Sequence, residues 1–295
     1  YASEAEKWLQ MAATESDKLI TSGRYEIYNT GHPQEDYFNM YRIDDKSDLK
    51  EAVLYVDYKT NIREHNMAAA GREAGCGFSK SFVESFLCSD GLPISLSNKY
   101  LGDETMRKET ANRDPRLKQL ILTNDFPTNV TDDLKDSTFV VNEDEFITQH
   151  CFTGYRPIKG FNPIYSQALY MKSSFDGIAY RYAETLLINA EAKAELNTIT
   201  DADLDRTINQ LRDRVGMPHL TVNVGFTDPK WPDWGYSLSP ILQEIRRERC
   251  IELAGEGFRF NDLKRWKAGK VLNNVLTYVG KRKPDGNLAI VYPNY

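Results

Sequence analysis

The sequence predicts a mainly α fold that contains a few short strands and long irregular loops. Two observations predict this fold class. Apolar residues recur at helical spacing over 2–20 and again over much of 178–266, whereas most of the chain between them is interrupted by glycine, proline and polar residues. With 295 residues, of which 41% are hydrophobic and 27% charged, the chain is globular and long enough for one large domain or two small ones.

The first half of the chain alternates short predicted elements with loops. The helix over 2–20 ends at a Ser-Gly pair. A strand is predicted over 52–59, because this run is rich in β-branched and aromatic residues. The following segment, 60–78, has no clean period, and a long irregular segment inside a compact domain is often a binding loop. A short helix is predicted over 79–88.

The middle of the chain is predicted to be irregular before it becomes helical. The acidic segment 123–138 is interpreted as a solvated loop; calcium binding through its oxygens is the alternative, although its spacing does not match an EF-hand. Short strands are predicted over 138–141 and 146–148. Apolar spacing then predicts a long helix from Ile178 and another over 204–215.

A helical hairpin is predicted over 240–269. Ser239 can cap its first helix, and Pro240 fits the first helical position, where its missing N–H costs nothing. Gly255 and Gly257 mark a break, after which a second short helix begins.

Two charged residues fall on the apolar face of the first helix of this hairpin. On a helical wheel, Arg249 and Glu252 lie within the arc of isoleucine and leucine residues. Because a charge on a core-facing stripe is costly unless it is paired and hydrogen-bonded, we predict a partly buried polar network with Arg259 and Asp262 as partners. An active site of paired carboxylates and arginines is the alternative. A structural network is favoured, since such networks perturb charges as readily as catalytic ones.

Composition and motifs argue against several classes of function. The net charge of −6 argues against nucleic-acid binding, which needs basic patches. The four histidines do not form the i, i+4 pair of a zinc helix, and the four cysteines form no CxxC pair, so no metal and no cofactor are predicted. There is no G-x-S-x-G nucleophile motif. No apolar run reaches the ~18 residues of a transmembrane helix.

Aromatic side chains give a more specific indication of function. They make up 12% of the chain, and sugars present flat C–H faces that stack on aromatic rings while their hydroxyls bind amide, carboxylate and guanidinium groups. Any single aromatic is more often part of a core, but two loop clusters combine these residue types. The predicted ligand-binding residues are Tyr55, Tyr58, Asn61, Arg63, His65 and Asn66 in the first cluster, and Trp231, Trp234 and Tyr236 in the second. The alternative for the second cluster is that its tryptophans fasten the loop onto the helices.

Four stretches, in order along the chain, resemble the SusD/RagB family. SDGLPI and NRDPRL (89–94 and 112–117) resemble its middle segment, and RYAETLLINAEAKAEL (181–196) and INQLRDRVGMP (208–218) resemble the helices before its C-terminal signature. RRERCIELAGEGFRFNDLKRW (246–266) resembles that signature. Together they make a specific match that spans most of the chain.

The resemblance implies a SusD-like fold, in which TPR-like helical repeats pack against a loop-rich C-terminal region. It divides 1–295 into the last helix of a truncated repeat region (1–22), a loop- and strand-rich part that faces the ligand (23–174), and a helical signature part (175–295). It also implies a lipoprotein on the outward face of the outer membrane. Such a protein binds oligosaccharides or other nutrients and passes them to a SusC-like TonB-dependent transporter, without catalysis or a cofactor. The lipid anchor is absent from this chain, which is interpreted as a processed or truncated piece.

Two other functions stay open. One is a carbohydrate-active hydrolase that uses two of the 43 acidic residues. The other is a helical scaffold that binds only a protein partner. Exposed ring faces beside Asn and Arg favour the sugar-binding protein, whereas aromatics that are all buried favour the scaffold.

Overall fold

The computed structural model describes residues 2–68 and 77–290. Among these residues, three helices exceed ten residues in length, and the others are short. The α-helices are α1 (Ala2–Thr21), α2 (Asp36–Asn39), α3 (Lys80–Ser85), α4 (Met106–Thr110), α5 (Arg116–Leu120), α6 (Tyr182–Glu195), α7 (Asp201–Asp205), α8 (Ile208–Arg214), α9 (Pro240–Glu252) and α10 (Phe258–Arg265). Short 3₁₀ helices occur at Met40–Arg42, Glu143–Phe146, Gly269–Asn273 and Val275–Thr277. The predicted mainly α fold class is confirmed.

The described strands form three separate antiparallel pairs. The pairs are β1 (Ala52–Val56) with β4 (Gly177–Arg181), β2 (Pro127–Val130) with β3 (Ser137–Phe139), and β5 (Val279–Arg282) with β6 (Leu288–Ile290). Each pair contains an irregularity in its register. The strands therefore connect and brace loops, while the long helices carry much of the core.

The long helix predicted from Ile178 begins at Tyr182 instead. Ile178 lies opposite Tyr55 in the β1–β4 pair, so strand pairing overrides the helical spacing of the apolar residues. The N–H of Tyr182 donates to the carbonyl of Glu51 at 2.8 Å, at the point where strand becomes helix. The predicted strand 52–59 correspondingly ends at Val56.

Three shorter predictions are also corrected. The segment 123–138 is not wholly a loop, because it contains β2 and leads into β3, and the N–H of Val130 also donates to the carbonyl of Pro163. No strand forms over 146–148, since the chain there leaves a 3₁₀ helix. The helix predicted over 204–215 is divided into α7 and α8, because the backbone of Thr207 is not helical, with φ of −130° and ψ of −93°. A capping box at Thr200 also starts α7 before residue 204.

The helical hairpin forms as predicted. The side chain of Ser239 accepts a hydrogen bond from the N–H of Leu242, and Pro240 opens α9. Gly255 and Gly257 have left-handed backbones, with φ of +76° and +85°, and α10 starts directly after them. The two glycines thus turn the chain between the two helices.

The buried apolar side chains form two main clusters. The loop-side core includes Tyr37, Phe86, Leu117, Tyr155 and Ile251. The helix-side core joins α6, α7, α8 and α9, and it includes Leu186, Leu204, Leu211, Ile245 and Leu253. Helix α1 is attached to this side, where the buried Asn189 amide donates to the carbonyl of Ala13 at 3.1 Å and to the hydroxyl of Ser16 at 3.0 Å. Because Ile251 and Leu253 belong to different cores, the end of α9 lies where the two cores meet.

Candidate functional site

Glu252, at the end of α9, is the centre of a buried ion network. Its side chain is fully buried. Its carboxylate accepts hydrogen bonds from Arg116 at 3.0 Å, from Arg181 at 2.6 Å and from Arg214 at 2.6 Å. These arginines come from three elements that are far apart in sequence, α5, β4 and α8.

Further charged residues extend this network on both sides. The additional ion pairs are Arg181 with Glu51 (3.0 Å) and with Glu256 (2.7 Å), Arg214 with Glu51 (3.4 Å), Lys159 with Glu256 (2.6 Å), Arg212 with Glu248 (3.1 Å), Arg116 with Asp114 (2.7 Å), and Arg116 with Glu248. We call this set of residues the Glu252 network. Every charge in it has an opposite partner, so the arrangement is that of a structural network.

The electrostatics of the network depend on its arginines. Burial by itself raises the pKa of Glu252, but Arg214, Arg181 and Arg116 outweigh burial and hold that pKa well below its usual range. Burial likewise opposes the ionised form of Glu256, but Arg181 and Lys159 lower its pKa from 4.5 to about 2. Both carboxylates are therefore ionised in the folded protein at every pH at which most proteins are studied.

These low pKa values make the protein sensitive to acid. A carboxylate whose pKa is lower in the folded state stabilises the fold above its unfolded pKa, and that stability is lost as the pH falls through the folded pKa. From the shift of Glu256 alone, we expect the free energy of unfolding to fall by about 2 kcal/mol between pH 6 and pH 3. Urea unfolding followed by circular dichroism at several pH values measures this. A free energy that stays flat below pH 4.5 would contradict the assignment.

Arg249 and Asp262 form a separate buried ion pair. The Nε atom of Arg249 lies 2.9 Å from Oδ2 of Asp262, and both residues are at most 5% exposed. Arg259 was expected to share this network, and that expectation is wrong. Its guanidinium forms no ion pair with a described residue and lies about 6 Å from the ring centroids of Trp234 and Trp266, because it projects from α10 towards those rings.

The first aromatic cluster lies on a tight loop after β1. Lys59 and Arg63 exchange backbone hydrogen bonds of 2.8 and 2.9 Å, and Asn61 at the turn has a left-handed φ of +62°. The exposed guanidinium of Arg63 lies 5.1 Å from the ring centroid of Tyr58, which is half-buried. Tyr55 is also half-buried and lies within β1. The structure therefore brings Tyr58 and Arg63 into direct contact.

His65 and Asn66 differ in what they can offer a ligand. The Nε2 atom of His65 is 2.8 Å from the carbonyl of Phe175, and its Nδ1 accepts from the N–H of Met67. Burial lowers the pKa of His65, so its ring is neutral and both nitrogens are occupied. Asn66 accepts one hydrogen bond through Oδ1, and its Nδ2 group donates to no described residue. His65 thus supports the loop, whereas Asn66 keeps free donors.

The second cluster is mostly built into the protein. Trp234 is 3% exposed, packs edge-on against Trp266 and donates its indole N–H to Gln243. Trp231 donates its indole N–H to Glu244 at 2.7 Å. The hydroxyl of Tyr236 donates to the carbonyl of Trp266. The tryptophans therefore fasten the loop onto the helices, which was the alternative interpretation.

Residues of the second cluster also line a cavity among the described residues. This cavity of about 1010 Å³, which we call the α9–α10 cleft, lies between α3, the loop 228–234, the hairpin α9–α10 and the turns of 270–277. Trp231 and Trp234 line it, and Tyr236 does not. Neither the first cluster nor Glu252 with its three arginines lines the cleft.

Lys46 and Asp176 escaped the sequence analysis, although they hold the first cluster in place. Asp176 accepts from the N–H of Tyr58 at 2.8 Å and from the N–H of Lys46 at 3.0 Å. The Nζ group of Lys46 donates to the carbonyls of Ile43 and Asp176, and burial lowers its pKa to about 8. Both residues lie singly in loops, where no periodic pattern marks a charge as buried.

Other kinds of site find no support in the part of the chain that the structure describes. No three His, Cys, Asp or Glu side chains lie together in a way that would hold a metal ion. Cys88 and Cys250 are free thiols, and Cys76 lies outside the described residues. None of the described helices combines the length and apolar character needed to cross a bilayer.

Comparison with known proteins now identifies the fold. The model of the SusD family matches residues 20–289, which is most of the chain. The chain belongs to the SusD family. Two solved structures from Bacteroides fragilis are similar to it: a SusD-like carbohydrate-binding protein (21% identity, TM-score 0.65) and a SusD-like protein (23% identity, TM-score 0.64). The surface glycan-binding protein A of Bacteroides fluxus is also similar, with 18% identity and a TM-score of 0.51.

These similarities concern the SusD fold, because all three identities lie below 25%. The alignments cover 99%, 90% and 100% of this chain but only 53%, 52% and 54% of those structures, in the same order. The chain thus spans about half the length of the solved SusD-like proteins. A search among curated proteins gives no match.

Proposed function

We propose that this chain binds oligosaccharides at the cell surface and delivers them to a SusC-like TonB-dependent transporter, without catalysis. Membership of the SusD family carries the proposal. Two of the solved structures that it resembles are named as a carbohydrate-binding protein and a surface glycan-binding protein. Attachment to the outward face of the outer membrane through a lipid anchor belongs to the same proposal.

We place the glycan site at the first aromatic cluster. Arg63 offers an exposed guanidinium beside the Tyr58 ring, and Asn66 has free amide donors. This is the combination that sugar recognition requires, namely an aromatic face beside planar hydrogen-bonding groups. His65 and Asp176 hold these residues without contacting the ligand, because their polar atoms already bind the backbone. Such prior ordering lowers the entropic cost of binding.

The two alternatives receive less support. A scaffold would have its aromatics buried, whereas Tyr170, Tyr180 and Phe260 are 74%, 58% and 69% exposed. A hydrolase needs two acids that are free to act on a glycosidic bond. The buried acids of the Glu252 network are all engaged by arginine or lysine, so they are not free in this way.

Affinity gel electrophoresis with a panel of polysaccharides tests the proposal. We expect retarded migration on at least one polysaccharide, and no release of reducing ends during prolonged incubation. In Tyr58→Ala the affinity should fall at least ~10-fold, because the variant loses the ring beside Arg63.

Tyr278→Ala is the matched control. It removes a tyrosine that is 47% exposed and lies outside both the first cluster and the α9–α10 cleft. Unchanged melting temperatures would show that both variants are folded. Equal affinities of Tyr58→Ala and Tyr278→Ala would exclude the first cluster as the site. Failure of the protein to bind any glycan would count against the proposed function.

A further inference from the structure

The α9–α10 cleft contains an uncapped helix end. Gly257 precedes α10 in a left-handed conformation, and no side chain accepts a hydrogen bond from the first turn of this eight-residue helix. The first N–H groups of a helix have no acceptor within the helix, and together they carry a partial positive charge. Gly257, Phe258 and Arg259 all line the cleft, so this helix end borders the cavity.

One guanidinium nitrogen of a buried arginine in the cleft wall also lacks an acceptor. Arg249 is 5% exposed and lines the cleft. Its Nε atom binds Asp262, but its Nη1 atom is buried and has no hydrogen-bond partner. Its guanidinium lies 5.5 Å from the ring centroid of Phe258, at the start of α10. A buried donor without an acceptor is costly, and an anion held in the cleft would offset the positive charge of this guanidinium.

Arg259 adds to the same cleft a cation that has no carboxylate partner among the described residues. Each of the other described lysines and arginines that line the cleft has a carboxylate within 4.0 Å: Lys230 has Glu84, Arg246 has Glu195, Arg247 has Asp228, Arg249 has Asp262, and Lys270 has Asp233. Arg259 has none, and its Nη1 atom is buried without a partner. The cleft therefore has more positive charge than its own acids balance, and the excess lies next to the uncapped helix end.

An aromatic ring lies beside this positive region. Phe260 follows Arg259 in the first turn of α10, lines the cleft and is 69% exposed. The cavity of about 1010 Å³ is as large as the largest common ligand pockets, so it has room for more than one sugar ring. A ligand that combines a carboxylate with a flat C–H face matches these features.

We propose that the α9–α10 cleft is a second glycan site, which takes an oligosaccharide that carries a hexuronate. The carboxylate binds between Arg249, Arg259 and the start of α10, and the sugar ring stacks on Phe260. This inference rests on the proposed function in that the ligand is a glycan. A peptide carboxylate has the same charge, but by itself it carries no flat C–H ring face that could stack on Phe260, whereas a hexuronate carries both.

Isothermal titration calorimetry with two uronate probes, trigalacturonate and a hyaluronan tetrasaccharide, tests the inference. We expect the purified protein to bind at least one of them, and to bind the methyl-esterified form of that probe at least ~10-fold more weakly, because the ester removes the charge. Arg259→Gln should weaken uronate binding ~10-fold or more, and Phe260→Ala should weaken it as well. Salt should weaken binding of the acid more than binding of the ester.

Arg107→Gln is the matched control, because Arg107 is an exposed arginine paired with Asp125 and lies outside the cleft. Three outcomes would each overturn the inference. The protein could bind the acid and its ester equally well, or Arg259→Gln and Arg107→Gln could bind the uronate with equal affinity. A short acidic peptide could also bind as tightly as the uronate and displace it. Binding of a neutral glycan without binding of either uronate would overturn it while leaving the proposed function intact. Binding of no glycan at all would reject both.

Discussion

Replacing Glu252 with glutamine should lower the free energy of unfolding by about 3–5 kcal/mol. The substitution keeps the shape of the side chain and removes only the charge that three arginines share. Those arginines are at most 2% exposed, so water cannot replace the lost carboxylate. Arg214 loses most, because its remaining acid, Glu51, is at 3.4 Å, whereas Arg181 keeps Glu51 and Glu256 at shorter distances.

The control for this variant is Glu26→Gln. Glu26 pairs with Lys50 at 3.0 Å, but both side chains are more than 60% exposed. Such surface pairs contribute less than about 1 kcal/mol. Urea unfolding of both variants at pH 7 compares the two environments directly. If Glu252→Gln lost no more stability than Glu26→Gln, the Glu252 network would contribute no more than a surface ion pair.

Replacing Gly280 with alanine should cost about 3 kcal/mol or more. An added Cβ at this position in β5 would lie 2.0 Å from the carbonyl oxygen and 2.3 Å from the Cα of Thr153. Both are backbone atoms, so they cannot rotate away as a side chain would. The neighbouring N–H of Lys281 also donates to that carbonyl at 2.8 Å, so separating the two segments would lengthen this hydrogen bond.

Gly269→Ala is the matched control for this second prediction. Gly269 is exposed, its φ is not left-handed, and an added Cβ would meet nothing within 4 Å. Its replacement should change the free energy of unfolding by no more than about 0.5 kcal/mol. Thermal unfolding of both variants, with the yield of folded protein, measures the contrast. Similar melting temperatures for Gly280→Ala and Gly269→Ala would mean that the segment around Thr153 moves away from β5 without loss of stability.

The helices of the second half of the chain were predictable because their signals are local. The cap at Ser239, the proline at the first helical position and the glycine break all act within a few residues. The start of α6 was misplaced because Ile178 pairs with Tyr55, more than a hundred positions away, and helical spacing contains no trace of that pairing. The division of 204–215 into α7 and α8 was not predicted for a different reason, since no glycine or proline marks the break at Thr207.

The candidate site residues were harder to predict, because their roles depend on partners that are remote in sequence. A wheel places Arg249 and Glu252 on the core side, but it does not reveal that Glu252 meets arginines from α5, β4 and α8. Trp234 has the kind of aromatic side chain on which sugars stack, but Trp266 and Gln243 enclose it. The free Nη1 atoms of Arg249 and Arg259 are visible only when every neighbouring acid has been located.

The Glu252 network lies where the two cores meet, and this position has a consequence for how the chain folds. Neither core can be completed alone without leaving several arginines or glutamates buried and unpaired, and a partly assembled network is less favourable than none. Pairing of these buried charges therefore couples the folding of the two halves, so that the loop-rich half and the helical half become stable together or not at all. Cooperativity between the two halves is built into α5, β4, α8 and α9, which are separated by long stretches of sequence. A polypeptide cut between the two halves would therefore lose more than the contacts at the cut.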